Sequence, residues 1–370
     1  APETMRLVRF APLVCLALAV FATHAAAAQA NEPPFLDIDL DSKPAEVSSG
    51  AALVVTAKVG WRASDSSGDK VWTRRGDGVE TTLMYRAMWG GEKSVTMRPV
   101  PGTENDLASP YVTVVGSVPP GDLPPKGEMV RYWVVAEEKG GSKTTQRKPK
   151  RDDEFYGAVV DAGAIARESV LPTMHWFVEE PERARGDYPV TSFVAFDQSL
   201  GSAEGGEKIK FYGQGVTARR RGSGRRGDPN MWGKGGTKDW PKRKFKLDFR
   251  GKDFKIKWDA SGEETKVEEV NLHSAYDEPG SESYLRETLA AASLARLGVP
   301  ASQARHVVLR RNGVFYGLYV IVEQVDSTFL ERRGFDPRGA LFKAVHWKLS
   351  NLRPPAPGWA PCRYDPEWEP

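Results

Sequence analysis

Residues 244–250 have the sequence Lys-Phe-Lys-Leu-Asp-Phe-Arg, in which charged and apolar side chains alternate at every position. A period of two is typical of a strand with one buried face. The segment 209–221 precedes it, and a glycine-rich stretch lies between the two. The sequence therefore predicts a long hairpin in which residues 209–221 form one strand and residues 244–250 the returning strand.

Short strand-like segments fill the chain on the N-terminal side of this hairpin. Five of them are rich in Val, Thr, Tyr and Trp and are separated by Gly and Pro turns: Ala52–Val59, Thr81–Trp89, Ser94–Val100, Tyr111–Val115 and Met129–Glu137. Strands at this spacing, without helical periodicity, indicate an immunoglobulin-like or fibronectin III-like β-sandwich. We assign residues 31–150 to this domain, because the charged segment 146–154 is typical of a linker.

On the C-terminal side of the hairpin the pattern changes to mixed helix and strand. Leu285, Leu289, Ala292 and Leu297 approximate an apolar stripe and predict a helix over residues 282–297. Two apolar runs then flank Asn312-Gly313, a strong hairpin signal. A short helix is predicted near residues 327–333. The whole chain is therefore expected to be of the α+β class.

The first thirty residues indicate export. Arg6 and Arg9 are followed by an apolar run of signal-peptide length and then by small residues. We therefore predict a signal peptide over residues 1–30, in which residues 1–4 precede the start at Met5, and a secreted protein without a transmembrane segment. The two cysteines, Cys15 and Cys362, are too few for a disulfide scaffold or a Cys-rich zinc module.

Positive charge is concentrated around the predicted hairpin. Residues 207–258 contain 17 lysines and arginines against five acidic residues, whereas the whole chain has a net charge of only +3. Such a concentration indicates an anionic partner, although a solvated charged face would have the same composition.

The glycines Gly222, Gly224 and Gly227 lie between the two strands of this hairpin. A glycine loop that joins two strands excludes the dinucleotide-binding fold, in which the loop leads into a helix. A glycine loop followed by a lysine on the returning strand is typical of a phosphate site, with Lys242 and Lys246 as the candidate lysines. A flexible basic loop remains the alternative.

An ordered set of short motifs resembles the spore coat protein H (CotH) kinase family over residues 171–343. The motifs are Phe211-Tyr212, Arg219-Arg-Arg221-Gly222, Pro241–Phe249, Asn271-Leu272, Tyr284-Leu-Arg-Glu287, Asn312-Gly313, Gly317-Leu-Tyr319, Glu323-Gln-Val-Asp326 and Leu341-Phe-Lys343. The resemblance implies an N-terminal part of an atypical protein-kinase-like α+β domain over residues 155–347.

That resemblance also implies an activity and a site. It implies a secreted kinase that uses ATP with Mg²⁺ or Mn²⁺ to phosphorylate serines of secreted or cell-surface acidic proteins. Arg219, Arg221 and Gly222 would build the base of the glycine loop. Lys242 or Lys246 would meet phosphate, and Glu323 would be an acidic partner in the cleft.

The chain departs from the family pattern at its C-terminal end. No cluster of Asp and Asn follows Lys343, and residues 348–370 form a Pro- and Trp-rich, truncated tail. Phosphoryl transfer needs carboxylates that hold metal, so we expect the chain as it stands to be catalytically inactive. The alternatives are a pseudokinase and a non-catalytic surface or coat adhesion protein whose basic hairpin binds a polyanionic glycan. We expect no genomic nucleic acid as partner, because the protein is secreted.

Overall fold

The structure is a computed structural model that describes residues 34–65, 67–103, 108–139, 144–185, 188–198, 209–221, 242–258, 264–274 and 284–341. The described residues are mostly β-strand with few helices, a β-rich α+β fold. The predicted signal peptide over residues 1–30 and the predicted tail over residues 348–370 lie outside the described residues. None of the described helices is long and apolar enough to cross a membrane.

The N-terminal part of the chain forms two sheets. The first contains β1 (Phe35–Leu40), β3 (Leu53–Ser64), β4 (Lys70–Arg75), β7 (Arg98–Pro99) and β8 (Val112–Val118). The second contains β2 (Glu46–Val47), β5 (Val79–Ala87), β6 (Lys93–Thr96), β9 (Met129–Glu138), β10 (Thr145–Lys148) and β11 (Tyr156–Val160). Residues 146–148 of the predicted linker belong to β10, and residues 149–154 lie between β10 and β11, both of which pair with β9.

One hydrophobic core lies between these two sheets. Strand β3 contributes alternate residues to it, Leu53, Val55, Ala57 and Val59, as expected for a strand with one buried face. The second sheet contributes residues such as Val134, which is fully buried. The two-sheet arrangement thus follows directly from the alternation in the sequence.

The C-terminal part of the chain forms a closed barrel. In spatial order its strands are β12 (Thr173–Phe177), β13 (Val190–Asp197), β14 (Lys210–Arg220), β15 (Phe245–Asp248), β18 (Glu269–His273), β20 (Val314–Glu323) and β19 (Ala304–Arg311). A small hairpin of β16 (Lys255–Lys257) and β17 (Glu264–Lys266) follows β15 along the chain. The α-helices described in the same compact unit are α1 (Ala162–Ala166) and α2 (Arg286–Arg296).

The predicted hairpins are confirmed in this barrel. Strands β14 and β15 pair antiparallel, and so do β19 and β20. At the turn between β19 and β20, Asn312 and Gly313 have φ values of 51° and 83°. Two successive positive φ values define the tight turn that Asn-Gly favours.

The sandwich-shaped pair of sheets and the barrel share a second hydrophobic cluster, which we call the seam. Trp133 and Phe155 from the sheets pack there with Phe193 and Ile209 from the barrel side. Two glycines permit this close contact. A Cβ on Gly157 would lie 2.1 Å from the ring of Phe211, and a Cβ on Gly213 would lie 1.5 Å from the carbonyl oxygen of Phe155.

Helix α2 differs from its prediction in burial. The helix itself is present, but Leu285, Leu289 and Leu297 of the predicted apolar stripe are 44%, 59% and 77% exposed. No residue of the helix is buried. The predicted helix is therefore confirmed over Arg286–Arg296, and its apolar stripe is exposed among the described residues.

The described residues 324–341 belong to a separate unit of the chain. Its described part contains α3 (Ser327–Arg332), which confirms the predicted short helix. The Asp326 carboxylate accepts a hydrogen bond from the Phe329 N–H at 3.0 Å, a standard N-cap.

Candidate functional site

The register of β14 against β15 determines which basic side chains share a face. Arg219 pairs with Lys246, whereas Ala218 pairs with Leu247. Ala218 and Leu247 belong to the barrel core. Since successive side chains of a strand point to opposite faces, Arg219 and Lys246 lie on the outside of the barrel. We call Arg219, Arg221 and Lys246 the basic face.

Lys246 is held by a carboxylate from the neighbouring strand β18. Its Nζ lies 2.5 Å from Oε2 of Glu269, and Nη2 of Arg250 lies 2.9 Å from the other carboxylate oxygen. The side chains of Lys246 and Glu269 are only 13% and 9% exposed. Two cations therefore share one largely buried carboxylate.

Burial and ion pairing shift the pKa values of Lys246 and Glu269 in opposite directions. Burial lowers the pKa of the Lys246 ammonium, and the contact with Glu269 only partly offsets it. Burial alone would raise the pKa of Glu269, but hydrogen bonds from Lys246 and Arg250 outweigh it and hold that pKa below its usual value. Glu269 is therefore ionised at neutral pH.

Arg219 and Arg221 differ in their partners. Arg219 makes no ion pair with any described residue, so its guanidinium is available beside Lys246. Arg221 contacts Nε2 of His273, and Nδ1 of His273 contacts Oε1 of Glu287 in the first turn of α2. Burial lowers the pKa of Arg221, while Glu287 and Glu269 counteract it. Arg221 is thus positioned by a histidine that is itself positioned by helix α2.

Lys242 lies apart from this arrangement. Its Nζ is 4.9 Å from the ring centroid of Tyr319 and 5.7 Å from that of Tyr284. Its Cε lies 2.9 Å from the position that a Cβ on Gly317 would take. Burial lowers the pKa of Lys242. The two lysines that the sequence left as alternatives are therefore in different surroundings, one paired with a carboxylate and the other over aromatic rings.

Glu323 is not brought together with Lys246. It pairs with Val270, which in turn pairs with Leu247, so these three side chains share the inner face of the sheet. The Glu323 carboxylate accepts a hydrogen bond from the Gln303 N–H at 3.0 Å, at the end of its strand. The predicted loop glycines Gly222, Gly224 and Gly227 lie outside the described residues.

The sequence analysis did not identify Glu269 or His273 as residues of the site, and it gave no role to Glu287. The signal for the first two is the alternation along β18, in which Glu269, Asn271 and His273 flank the buried Val270 and Leu272. That alternation predicts a strand with one polar face. It does not say that Lys246 lies opposite that face, because only the sheet register brings them together.

The basic face suits phosphate groups, since unpaired or shared guanidinium and ammonium groups bind phosphate oxygens well. The result for a metal site is different. Among the described residues no group of three or more His, Cys, Asp or Glu side chains could hold a metal ion. The part of the chain that the structure describes thus offers cations for an anionic group and does not provide a metal-ligand set.

Comparison with known proteins gives one family. Residues 218–356 match the family described as CotH kinase protein. No curated protein matches the chain. Among solved structures, the chain is similar to AggA, the major subunit of aggregative adherence fimbriae type I from Escherichia coli, at 14% identity and a TM-score of 0.17. That similarity covers 35% of this chain and 94% of AggA.

Proposed function

Residues 218–356 match the CotH kinase protein family, and we propose that they are part of a secreted atypical kinase that binds ATP at the basic face. Its substrates would be serine side chains of acidic secreted or cell-surface proteins. The domain that precedes the kinase region would be an immunoglobulin-like or fibronectin III-like sandwich, and the kinase region would be the N-terminal part of an atypical kinase domain.

The Lys246–Glu269 ion pair beside Arg219 is the observation that carries this proposal. Lys246 stands on the strand that follows the glycine-rich segment, in register with Arg219. Glu269 fixes the ammonium group at 2.5 Å while leaving Arg219 without a described ion pair. A lysine that is oriented by a glutamate and flanked by a second cation can neutralise phosphate charge without losing much conformational entropy.

Lys246, rather than Lys242, is therefore our candidate for the phosphate contact. Lys242 is half-buried over Tyr319 and Tyr284, where the aromatic faces already stabilise its charge.

A titration with a fluorescent ATP analogue tests this assignment on the full chain. We expect Lys246→Met and Arg219→Gln each to weaken binding by about tenfold or more, the size typical of losing a charge-assisted phosphate contact. Lys242→Met should bind within about twofold of the wild type. Lys255→Met is the matched control, because the side chains of Lys255 and Asp253 pair at 3.3 Å while 37% and 69% exposed, and the loss of this pair should be neutral.

Two results would count against the proposal. The first is a folded wild-type chain that binds no ATP analogue at any concentration tested. The second is unchanged binding in Lys246→Met, because Arg250 keeps Glu269 paired in that variant and the fold should survive.

The metal that the family implies, Mg²⁺ or Mn²⁺, would be bound largely through the nucleotide itself. This expectation follows from the lack of a metal-ligand set among the described residues. Titrations with and without EDTA check it: the metal alone should not change the thermal unfolding midpoint, whereas the metal with ATP should raise it.

A non-catalytic adhesion function is the second candidate, and a pseudokinase that only binds nucleotide is a third. The concentration of 17 basic residues over 207–258 favours adhesion to a polyanionic glycan. Such adhesion predicts binding that is indifferent to ATP and is lost at roughly 0.5 M salt, where the Debye length is only a few Å. Competition between ATP and the glycan would indicate that both use the basic face.

A further inference from the structure

Two arginines lie directly opposite each other on neighbouring strands of the second sheet. Arg86 on β5 pairs in register with Arg131 on β9. Both side chains point towards the seam, since each lies over the ring of Phe155. Like charges at directly opposed positions of an antiparallel pair destabilise a sheet unless something neutralises them.

Arg131 is the more deeply buried of the two. The residue is 2% exposed, and its Nε donates to the Met88 carbonyl oxygen at 2.8 Å. Its guanidinium lies 4.8 Å from the ring of Phe155 and 5.4 Å from that of Phe193. Burial, and then the charge of Arg86, lower the pKa of Arg131 to about 10. In the described part of the chain no carboxylate forms an ion pair with it.

Arg86 has only a weak partner. Its Nη1 lies 3.8 Å from Oε1 of Glu92, whose side chain is 51% exposed. Its Nε is buried without any hydrogen-bond partner. The Arg86 side chain is 24% exposed, so it is the solvent-accessible end of the pair. The Arg147 guanidinium also lies over the ring of Phe155, so three cations share the seam. The charges of Glu179 and Glu92 partly oppose the lowering of the Arg131 pKa, but no described carboxylate lies within ion-pair distance of Arg131.

A buried cation without a close counter-ion is costly, and the cost is removed when an anion binds. A phosphate group suits this place because it carries about two negative charges and several acceptor oxygens, enough for both guanidiniums. We propose that Arg86 and Arg131 form an oxyanion site that takes a phosphate group, either inorganic phosphate or a phosphate monoester on a phosphorylated serine.

Glu92 acts in this site as an internal competitor. Its carboxylate occupies the approach to Arg86 without reaching hydrogen-bond distance. When phosphate binds, the Glu92 side chain moves out into solvent, to which it is already about half exposed. Removing the charge of Glu92 should therefore strengthen phosphate binding, an effect that a purely structural pair of arginines would not produce.

Thermal unfolding of the full chain tests the site. The midpoint is measured in chloride and in inorganic phosphate at equal ionic strength, and again with phosphoserine and with a phosphoserine peptide. We expect phosphate to raise the wild-type midpoint, Arg86→Gln to weaken phosphate about tenfold or more, and Glu92→Gln to strengthen it. A larger effect of the peptide than of inorganic phosphate identifies the monoester as the ligand, and the reverse identifies the free anion.

Controls separate this site from the basic face and from general charge effects. Glu138→Gln is the matched control for Glu92→Gln, because Glu138 lies 3.7 Å from Arg74 and Arg74 stacks on Trp61 at 4.2 Å, but on an exposed surface. Arg219→Gln should retain the response that Arg86→Gln loses, so the result does not depend on the proposed ATP site. Arg86→Lys covers the case in which Arg86→Gln does not fold.

Two outcomes would count against the proposed phosphate site. If Arg86→Gln and Arg86→Lys respond to phosphate as the wild type does, Arg86 binds no oxyanion. If Glu92→Gln responds like Glu138→Gln, the carboxylate does not compete for this site and the pair of arginines is only structural.

Discussion

The Lys246 ammonium lies 2.5 Å from the Glu269 carboxylate, although the two residues belong to different strands. Arg250 binds the second carboxylate oxygen at 2.9 Å. Glu269 is thus the common counter-ion of two cations beside the basic face. Removing it affects the stability of the barrel as well as the position of Lys246.

Glu269→Gln should lower the free energy of unfolding by about 1–3 kcal/mol. The glutamine leaves Lys246 in a largely buried place without its counter-ion, and breaking such a pair by removing one partner is destabilising. Arg250 reduces the loss little, because its own side chain is 66% exposed and returns to water. Urea-induced unfolding of the two proteins measures the difference.

The control for this change is Asp253→Asn, which removes a carboxylate from the exposed Lys255 pair. Exposed pairs contribute little, so the loss there should stay below about 0.5 kcal/mol. Equal effects of the two substitutions would mean that the Glu269 pair is no more stabilising than a surface contact.

We expect the protein to lose stability in mild acid because of the buried His175. The residue is fully buried on β12, and burial, with a further contribution from Arg310 on β19, lowers its pKa to about 3. In the unfolded chain the same imidazole has a pKa of about 6.5. Between about pH 6.5 and pH 3 the imidazole is therefore protonated in the unfolded state but neutral in the folded state. The free energy of unfolding falls over this range by up to about 1.4 kcal/mol for each pH unit.

Urea unfolding of the wild type and of His175→Gln between pH 7 and pH 4 tests the direction of this pH effect on stability. The stability of the variant should fall less steeply than that of the wild type, because the substituted side chain does not titrate. His306→Gln serves as the comparison, since the side chain of His306 is only partly buried and contacts the Tyr284 carbonyl oxygen at 2.9 Å. Parallel pH profiles for the wild type and His175→Gln would refute the assignment.

The sequence predicted the hairpins of the barrel and the presence of helix α2 but not the exposure of its apolar stripe, and both results have a physical cause. Alternation within β15 depends on one strand and its core, so local pattern is sufficient. The site depends on register: Lys246 meets Glu269 only because β15 and β18 pair as they do. Helix α2 has a periodic apolar stripe, but periodicity cannot say whether another part of the fold covers it.

Leu289 on α2 and Leu272 on β18 therefore differ in their expected effects. Leu289 is 59% exposed, whereas Leu272 is fully buried in the barrel core. Leu289→Ala should change the free energy of unfolding by less than about 0.5 kcal/mol, and Leu272→Ala should reduce it by about 2–5 kcal/mol. Comparable losses, measured by urea unfolding, would mean that Leu289 is buried in solution.

Gly213 should be indispensable for the contact between the sheets and the barrel. The Phe155 N–H donates to the Gly213 carbonyl oxygen at 3.0 Å, and a Cβ at residue 213 would lie 1.5 Å from the Phe155 carbonyl oxygen. A backbone atom at that distance cannot move aside without breaking the seam. We expect Gly213→Ala to lose at least about 3 kcal/mol or to accumulate as insoluble protein. Gly121→Ala, with no atom within 4 Å of its added Cβ, should fold with wild-type yield. A Gly213→Ala protein with the wild-type unfolding midpoint would show that β14 is not held by the seam.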